Sequence, residues 1–179
     1  MRRYPLRDEE YQLDHTSSSS DDPPIWWRAE KYLREKFELE EDHGSWYDAR
    51  TSDGDEVEIK SCQYKYEDGE LGCFNIWSEQ LTKLLLDDGY IALLVYVPTD
   101  PPAVLATQLL SNDEVSAEDG VSFRVTHPTM GRKTLVRIPW TETISLDAIR
   151  LGCRYSFLEH YSEVEREDTF YFDPPADVE

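Results

Sequence analysis

The clearest hydrophobic pattern in the chain lies at residues 46–63, where two runs of alternating apolar and polar residues flank the turn-rich segment 51–55. This alternation predicts a β-hairpin. A three-residue loop at 52–54 would place Gly54 at the last loop position, where a positive φ is needed. A two-residue loop would change the side-chain parity of the hairpin unless a bulge intervened.

The three-residue loop predicts which hairpin side chains share a face. It sets Asp48, on the first strand, opposite Glu58 on the second, and Lys60 lies on the same face because it is two residues further on. Val57 and Ile59 then point the other way, into a core. The hairpin is therefore expected to gather two carboxylates and an ammonium at one place.

The remaining pattern predicts an α/β fold. A helix is expected at 25–39, and the nearly continuous apolar run Tyr90–Val97 is typical of a central strand covered on both faces. Such elements form a mixed sheet flanked by helices. The other predicted elements are a strand Cys73–Trp77, a helix 79–86, a strand or strand–helix transition at 103–110, a helix cap at 111–114, strands 121–126 and 134–139, and a helix 146–160.

On the first predicted helix, Trp26, Leu33 and Phe37 form one apolar stripe, and Glu30 lies on that stripe. A carboxylate on an apolar face is unfavourable without a partner. Glu30 is thus either part of an acidic site or a boundary residue paired with Arg34 one turn later.

Gln80 lies on the predicted helix 79–86, for which Ser78 is the expected N-cap. The buried face of that helix is expected to comprise Trp77, Leu81, Leu84 and Leu85. Gln80 borders this face, so its amide either faces a functional site or satisfies backbone groups at the end of the helix.

Two carboxylates and an ammonium at one sheet edge suit a hard divalent cation and a water, which points to phosphodiester hydrolysis. Asp48, nine intervening residues and then Glu58-Ile59-Lys60 resemble the PD-(D/E)xK nuclease superfamily. The order of elements over residues 25–98 is similar to that of archaeal Holliday-junction resolvases and several restriction endonucleases. One departure is Tyr47, which stands where the superfamily name implies a proline.

The resemblance implies a single-domain, restriction-endonuclease-like fold and a metal-dependent DNA endonuclease. Mg²⁺ or Mn²⁺ would be bound by Asp48, Glu58 and the backbone carbonyl of Ile59. Lys60 would position or deprotonate the attacking water, and Glu30 and Gln80 match residues that complete or orient such sites. The alternative is an inactive nuclease-like fold that acts as a DNA-binding or protein-interaction module. Restriction, repair and junction processing stay open, as does a homodimer.

The formal net charge of −20 is unusual for a DNA-binding protein. Dispersed acids with few lysines are typical of halophilic cytoplasmic proteins, and we expect the source to be a halophilic archaeon or its virus. At about 1 M salt the Debye length is only ~3 Å, so distant acids would hardly repel DNA. The competing interpretation is that the protein binds no nucleic acid.

One segment reverses the acidic balance, because residues 124–154 contain six basic residues and two acids. These basic residues are the predicted phosphate contacts: Arg124, Arg132, Lys133, Arg137, Arg150 and Arg154. The alternative for each is an ion pair with a neighbouring acid.

The ends of the chain differ from its middle in composition. Residues 1–24, with Arg2, Arg3 and Arg7 and a serine-rich run, are expected to form a disordered arm, and residues 165–179 an acidic tail. Residues 25–164 are then the nuclease-like domain. The sequence has no apolar signal region or run of ~18 apolar residues, which predicts a cytoplasmic protein without membrane contact.

Overall fold

The computed structural model describes residues 12–13, 23–99 and 101–149. The regular elements are α1 (Ile25–Lys36), β1 (Glu40–Glu41), β2 (Ala49–Arg50), β3 (Glu56–Gln63), β4 (Cys73–Trp77), α2 (Ser78–Leu86), β5 (Tyr90–Val97), β6 (Ala103–Ser111), β7 (Val121–His127), β8 (Gly131–Pro139) and α3 (Trp140–Thr143). Short 3₁₀ turns cover Asn112–Glu114, Ala117–Asp119 and Leu146–Ala148. The predicted N-terminal arm, apart from the few residues named, and everything after residue 149 lie outside the described residues.

The strands form two sheets. The first has five strands in the order β1-β2-β3-β5-β6, and β3 and β5 are parallel while the other pairs are antiparallel. The second has three antiparallel strands in the order β4-β8-β7. The parallel pair requires a crossover, which β4 and α2 supply. The predicted α/β class with a mixed sheet and flanking helices is confirmed, and the second sheet is an addition to it.

The five-stranded sheet is covered on both faces. Helix α1 covers one face, where the core contains Ala29, Leu33, Val57, Ile59, Ala92 and Leu94. Helix α2 and the three-stranded sheet cover the other face, where the core contains Phe74, Ile76, Leu81, Leu84, Ile91, Leu93 and Val95. Strand β5 lies between β3 and β6 and is buried along almost its whole length. The prediction of a central strand at Tyr90–Val97 is therefore confirmed.

Helix α1 is shorter than predicted. It ends at Lys36 and not at residue 39, because Glu38 adopts a positive φ of 54° and the N–H of Leu39 turns back to the carbonyl of Arg34. Trp26 is 58% exposed, so the predicted apolar stripe is wrong at that residue. The buried face is centred on Ala29 and Leu33.

The other boundaries differ by small amounts. Helix α2 begins at Ser78 with Trp77 in the N-cap position, and Leu85 is 54% exposed where it was expected in the core. Strands β7 and β8 extend further than predicted and leave a tighter turn. The helix predicted at 146–160 is wrong where it is described, because a 3₁₀ turn is followed by Ile149 in an isolated β-bridge to Ala106. None of the helices in the described part of the chain combines the length and the apolar character that spanning a membrane requires.

Gly72 precedes β4 where the chain passes close to the end of β3. A Cβ on Gly72 would lie 1.4 Å from the carbonyl oxygen of Gln63, so Gly72→Ala requires a backbone shift. Gly54 has a φ of +93° and no atom near its would-be Cβ, so Gly54→Ala carries only conformational strain of about 1–2 kcal/mol.

We expect Gly72→Ala to lower the free energy of unfolding in urea by more than ~2 kcal/mol, and by more than Gly54→Ala does. Equal losses would contradict this packing.

Candidate active site

The predicted hairpin register is confirmed. Ala49 pairs with Val57 and Arg50 with Glu56, and the N–H of Thr51 donates to the carbonyl of Asp55 at 2.9 Å. These contacts enclose a loop of three residues whose last member, Gly54, has a φ of 93°. The three-residue loop predicted from the sequence is therefore present, and it determines which side chains of the hairpin share a face.

Asp48 lies directly before β2, not within it. Its N–H donates to the carbonyl of Val57 at 2.9 Å, and its Oδ2 accepts the N–H of Ile59 at 3.1 Å. Since β2 has only two residues, no strand residue in the described part of the chain lies beside Ile59 on this edge, and the Asp48 carboxylate takes that position. The N–H and C=O of one strand residue point to the same side. The Ile59 carbonyl therefore points toward Asp48.

Glu58 is the buried acid of the site. Its side chain is 2% exposed, and its Oε1 accepts hydrogen bonds from Lys60 Nζ and, at 2.6 Å, from Gln80 Nε2. Its other oxygen, Oε2, is buried without a hydrogen-bond partner among the described residues. An unsatisfied buried acceptor costs about 1–3 kcal/mol or more when charged. This atom is therefore positioned to accept a ligand.

The surroundings raise the pKa of two carboxyl groups. Burial raises the pKa of Glu58 to about 7, and the negative charge of Asp48 adds to the rise, while Lys60 and Gln80 oppose it. Burial also raises the pKa of Glu30, again with a contribution from Asp48, and Arg34 and Lys60 lower it. Glu30 thus lies within electrostatic range of Asp48 and Lys60. Arg34, its alternative partner, forms an ion pair with Glu41 at 3.2 Å.

Gln80 combines the two roles considered for it. Its Oε1 accepts the N–H of Trp77 at 3.2 Å, which satisfies a backbone donor at the start of α2. Its Nε2 donates to Glu58. The helix end therefore holds the amide in place, and the amide in turn orients the carboxylate.

His43 joins the site although its sequence context gave no reason to select it. Its Nδ1 is 3.8 Å from Asp48 Oδ1, and its Nε2 is 3.4 Å from Glu41 Oε1. Only its position five residues before Asp48 could have suggested this. The turn between β1 and β2 brings the imidazole back to the carboxylate.

The model of the PD-(D/E)XK nuclease superfamily domain matches residues 26–145, which is two thirds of the chain. The chain belongs to the PD-(D/E)XK nuclease superfamily. The match contains Glu30, Asp48, Glu58, Lys60 and Gln80, the residues that the fold places together. No curated protein matches the chain.

The donor atoms at this PD-(D/E)XK site fit a divalent cation with few protein ligands. Within the described residues, no group of three or more His, Cys, Asp or Glu side chains is arranged to hold a metal ion. The site offers the Asp48 and Glu58 carboxylates and the Ile59 carbonyl. Mg²⁺ typically uses one or two carboxylates and keeps several waters. The unpartnered Glu58 Oε2 is the observation that favours this fit.

The predicted phosphate contacts do not form one patch. Arg124 and Arg132 lie on one face of the β7–β8 hairpin, and Lys133 and Arg137 on the other, because their positions alternate along the paired strands. Lys133 Nζ is 2.6 Å from both carboxylate oxygens of Glu79, so the ion-pair alternative applies to it. Arg150 and Arg154 lie outside the described residues. Contact of any of them with DNA stays a prediction.

The raised pKa of Glu58 predicts a pH dependence of stability in the metal-free protein. In the unfolded chain the carboxyl ionises near pH 4.5, whereas in the fold its pKa is about 7. Between these values the native state holds a proton that the unfolded state has lost, so stability falls as pH rises. Glu58→Gln removes this dependence, and we expect the variant to gain up to about 3 kcal/mol relative to the natural protein between pH 5 and 8.

Urea unfolding of both proteins in EDTA at the two pH values measures this difference. Parallel changes of stability with pH in the two proteins would contradict the assignment.

Proposed function

We propose that this protein is a metal-dependent endonuclease that hydrolyses phosphodiester bonds of DNA. The observation that carries the proposal is the buried Glu58 carboxylate beside Asp48 and the Ile59 carbonyl. One of its oxygens is held by Lys60 and Gln80, and the other has no partner among the residues that the structure describes. A carboxylate that serves only structure is normally satisfied on both oxygens. A buried carboxylate whose second oxygen has no partner among the described residues is suited to bind a cation.

Asp48, Glu58 and the backbone carbonyl of Ile59 would hold Mg²⁺ or Mn²⁺. When bound, the ion lowers the pKa of a coordinated water and neutralises charge that develops on the phosphate. The N–H of Ile59 keeps the Asp48 carboxylate in one orientation, and the Gln80 amide does the same for Glu58. These bonds reduce the entropy lost when the site binds its ligands.

Lys60 supplies the positive charge of the site. Its amine contacts Glu58 Oε1 and its side chain is 21% exposed, so it is open to solvent on one side. From there it can position a water and stabilise negative charge on the phosphate. Burial raises the pKa of Glu30, so this carboxylate can accept a proton from that water, or it can hold a second water molecule. His43 is placed to orient Asp48.

DNA binding in a chain of net charge −20 must rely on short-range contacts. Screening in concentrated salt weakens both the repulsion from distant acids and the attraction from basic side chains. A cation at the site and the Lys60 ammonium act at contact distance, where screening is smallest. We therefore propose that the protein works in a high-salt cytoplasm, as its composition indicates.

Metal binding tests the ligand set directly. We expect Mg²⁺ or Mn²⁺ to raise the thermal unfolding midpoint of the natural protein at pH 8, with a gain of about 2.7 kcal/mol at a hundredfold excess over Kd. Asp48→Ala removes a ligand and should abolish the gain. Asp53→Ala, an exposed aspartate in the hairpin loop, is the matched control and should retain it. An equal gain in Asp48→Ala would rule out this site.

Cleavage tests the proposed roles. Asp48→Ala and Lys60→Ala should each reduce DNA cleavage in Mg²⁺ by at least about 100-fold, because one removes a metal ligand and the other the charge facing the phosphate. Glu30→Gln should reduce it by about 10- to 100-fold. Lys36→Ala, at the exposed end of α1, should leave it unchanged.

Linear, supercoiled and four-way-junction DNA, compared over a salt series, distinguish restriction, repair and junction processing. If the natural protein binds DNA and cleaves none of the three in either metal, the inactive-module alternative is correct.

A further inference from the structure

A cavity of about 390 Å³ lies next to the proposed catalytic site. Its lining includes Trp46, Trp77, Gln80, Met130 and the two lysines Lys83 and Lys133. The walls come from the turn before β2, the start of α2 and the tip of the β7–β8 hairpin. Gln80 belongs to both the cavity and the proposed catalytic site, because its side chain lines the cavity and its Nε2 donates to Glu58.

From this cavity we infer a binding site for one unpaired nucleobase beside the phosphodiester that is cut. The inference rests on the proposed function and names the class of DNA that the same site would prefer. DNA with an overhang, flap or other unpaired nucleotide next to the cut would be bound more tightly than a fully paired duplex.

The size and lining of the cavity suit a flat aromatic ligand. Its volume falls within the ~300–1,000 Å³ of pockets that enclose small organic molecules, and a duplex is too wide to enter it. The apolar side chains of the lining are those of Trp46, Trp77 and Met130. Trp77 is half-buried, and His127 packs edge-on against its ring with the centroids 6.0 Å apart, which fixes the ring orientation. Such a ring can stack on any base.

Charge supports a nucleic-acid ligand. The lining contains two lysines and one glutamate, so it is net positive in a chain of net charge −20. Lys133 is bound to Glu79 across the rim, which joins the β7–β8 hairpin to α2. Lys83, one turn further along α2, is exposed, and its ammonium can reach a phosphate that flanks the bound base.

The position of Gln80 links this cavity to catalysis. A base in the cavity would lie against Gln80, the residue that orients Glu58, so the strand that carries this base would pass the proposed metal site. Stacking would therefore hold the strand in register at the metal site, a positioning role for Trp77 that is separate from the chemistry.

The test is DNA binding by fluorescence anisotropy in Ca²⁺, a cation that takes the same kind of oxygen ligands as Mg²⁺, with a gel of each sample to check that the probes stay intact. The probes are a duplex with a short single-stranded overhang and a blunt duplex of equal length. We expect the natural protein to bind the overhang more tightly. Trp77→Ala should weaken overhang binding by roughly 5- to 150-fold, the range for loss of one base–aromatic stack. Trp77→Phe should retain most of the affinity, and Trp26→Ala, an exposed tryptophan on α1, all of it.

A second measurement does not depend on the fold of a variant. With 2-aminopurine at the first unpaired position, binding to the natural protein should quench the fluorescence of this base by stacking, and 2-aminopurine inside the duplex should change little. Equal affinity for the two DNAs, or no quenching at the unpaired position, would overturn the inference. Either result would overturn the inference even if the protein cleaves DNA. Conversely, tighter overhang binding and quenching in a protein that does not cleave DNA would refute the proposed function and leave the base-binding site standing.

Discussion

Strand β3 is the element on which both the stability and the proposed chemistry depend, because its successive side chains point to opposite faces of the sheet. Val57 and Ile59 are buried against α1, while Glu58 and Lys60 point to the side of α2. A shift of the hairpin by one residue would expose the apolar pair and place a carboxylate against the core of α1. The same register therefore secures the core and presents the acid.

Burial of Glu58 opposes stability. The fold removes this carboxyl from water and places Asp48 nearby, so its pKa rises to about 7. In the part of the chain that the structure describes, only one of its oxygens has partners. A neutral isostere such as glutamine avoids the cost of burying this charge. The presence of the Glu58 carboxyl is explained if binding of a cation offsets the unfavourable burial, which is a common relation between active sites and stability.

The second sheet supplies part of the wall of the cavity beside the site, which the hairpin at residues 46–63 does not form by itself. Its strands β7 and β8 bring Met130 and Lys133 to the start of α2, where they meet the turn that carries Trp46. The cavity enclosed there is lined in part by Gln80, whose amide contacts Glu58. Under the proposed function, this pocket of aromatic and lysine side chains would hold a nucleic-acid strand by short-range contacts in an otherwise acidic chain.

The sequence by itself determined the hairpin, the loop at 52–54, the central strand Tyr90–Val97 and the pairing of Glu58 with Lys60 on one face. These features follow from local rules, namely the two-residue period of a strand, the positive φ tolerated by glycine and the continuous apolar character of a covered strand.

Tertiary structure alone decided the features that depend on which elements meet. Periodicity along α1 could not show that Trp26 lies beyond the edge of the covered face. Likewise, the turn between β1 and β2 brings His43 close to Asp48. The register of the β7–β8 pair places Arg124 and Lys133 on opposite faces of that hairpin. The lack of a hydrogen-bond partner for Glu58 Oε2 among the described residues also depends on which elements pack around it. Burial and partnership are properties of packing between distant segments, and a local sequence pattern carries no record of them.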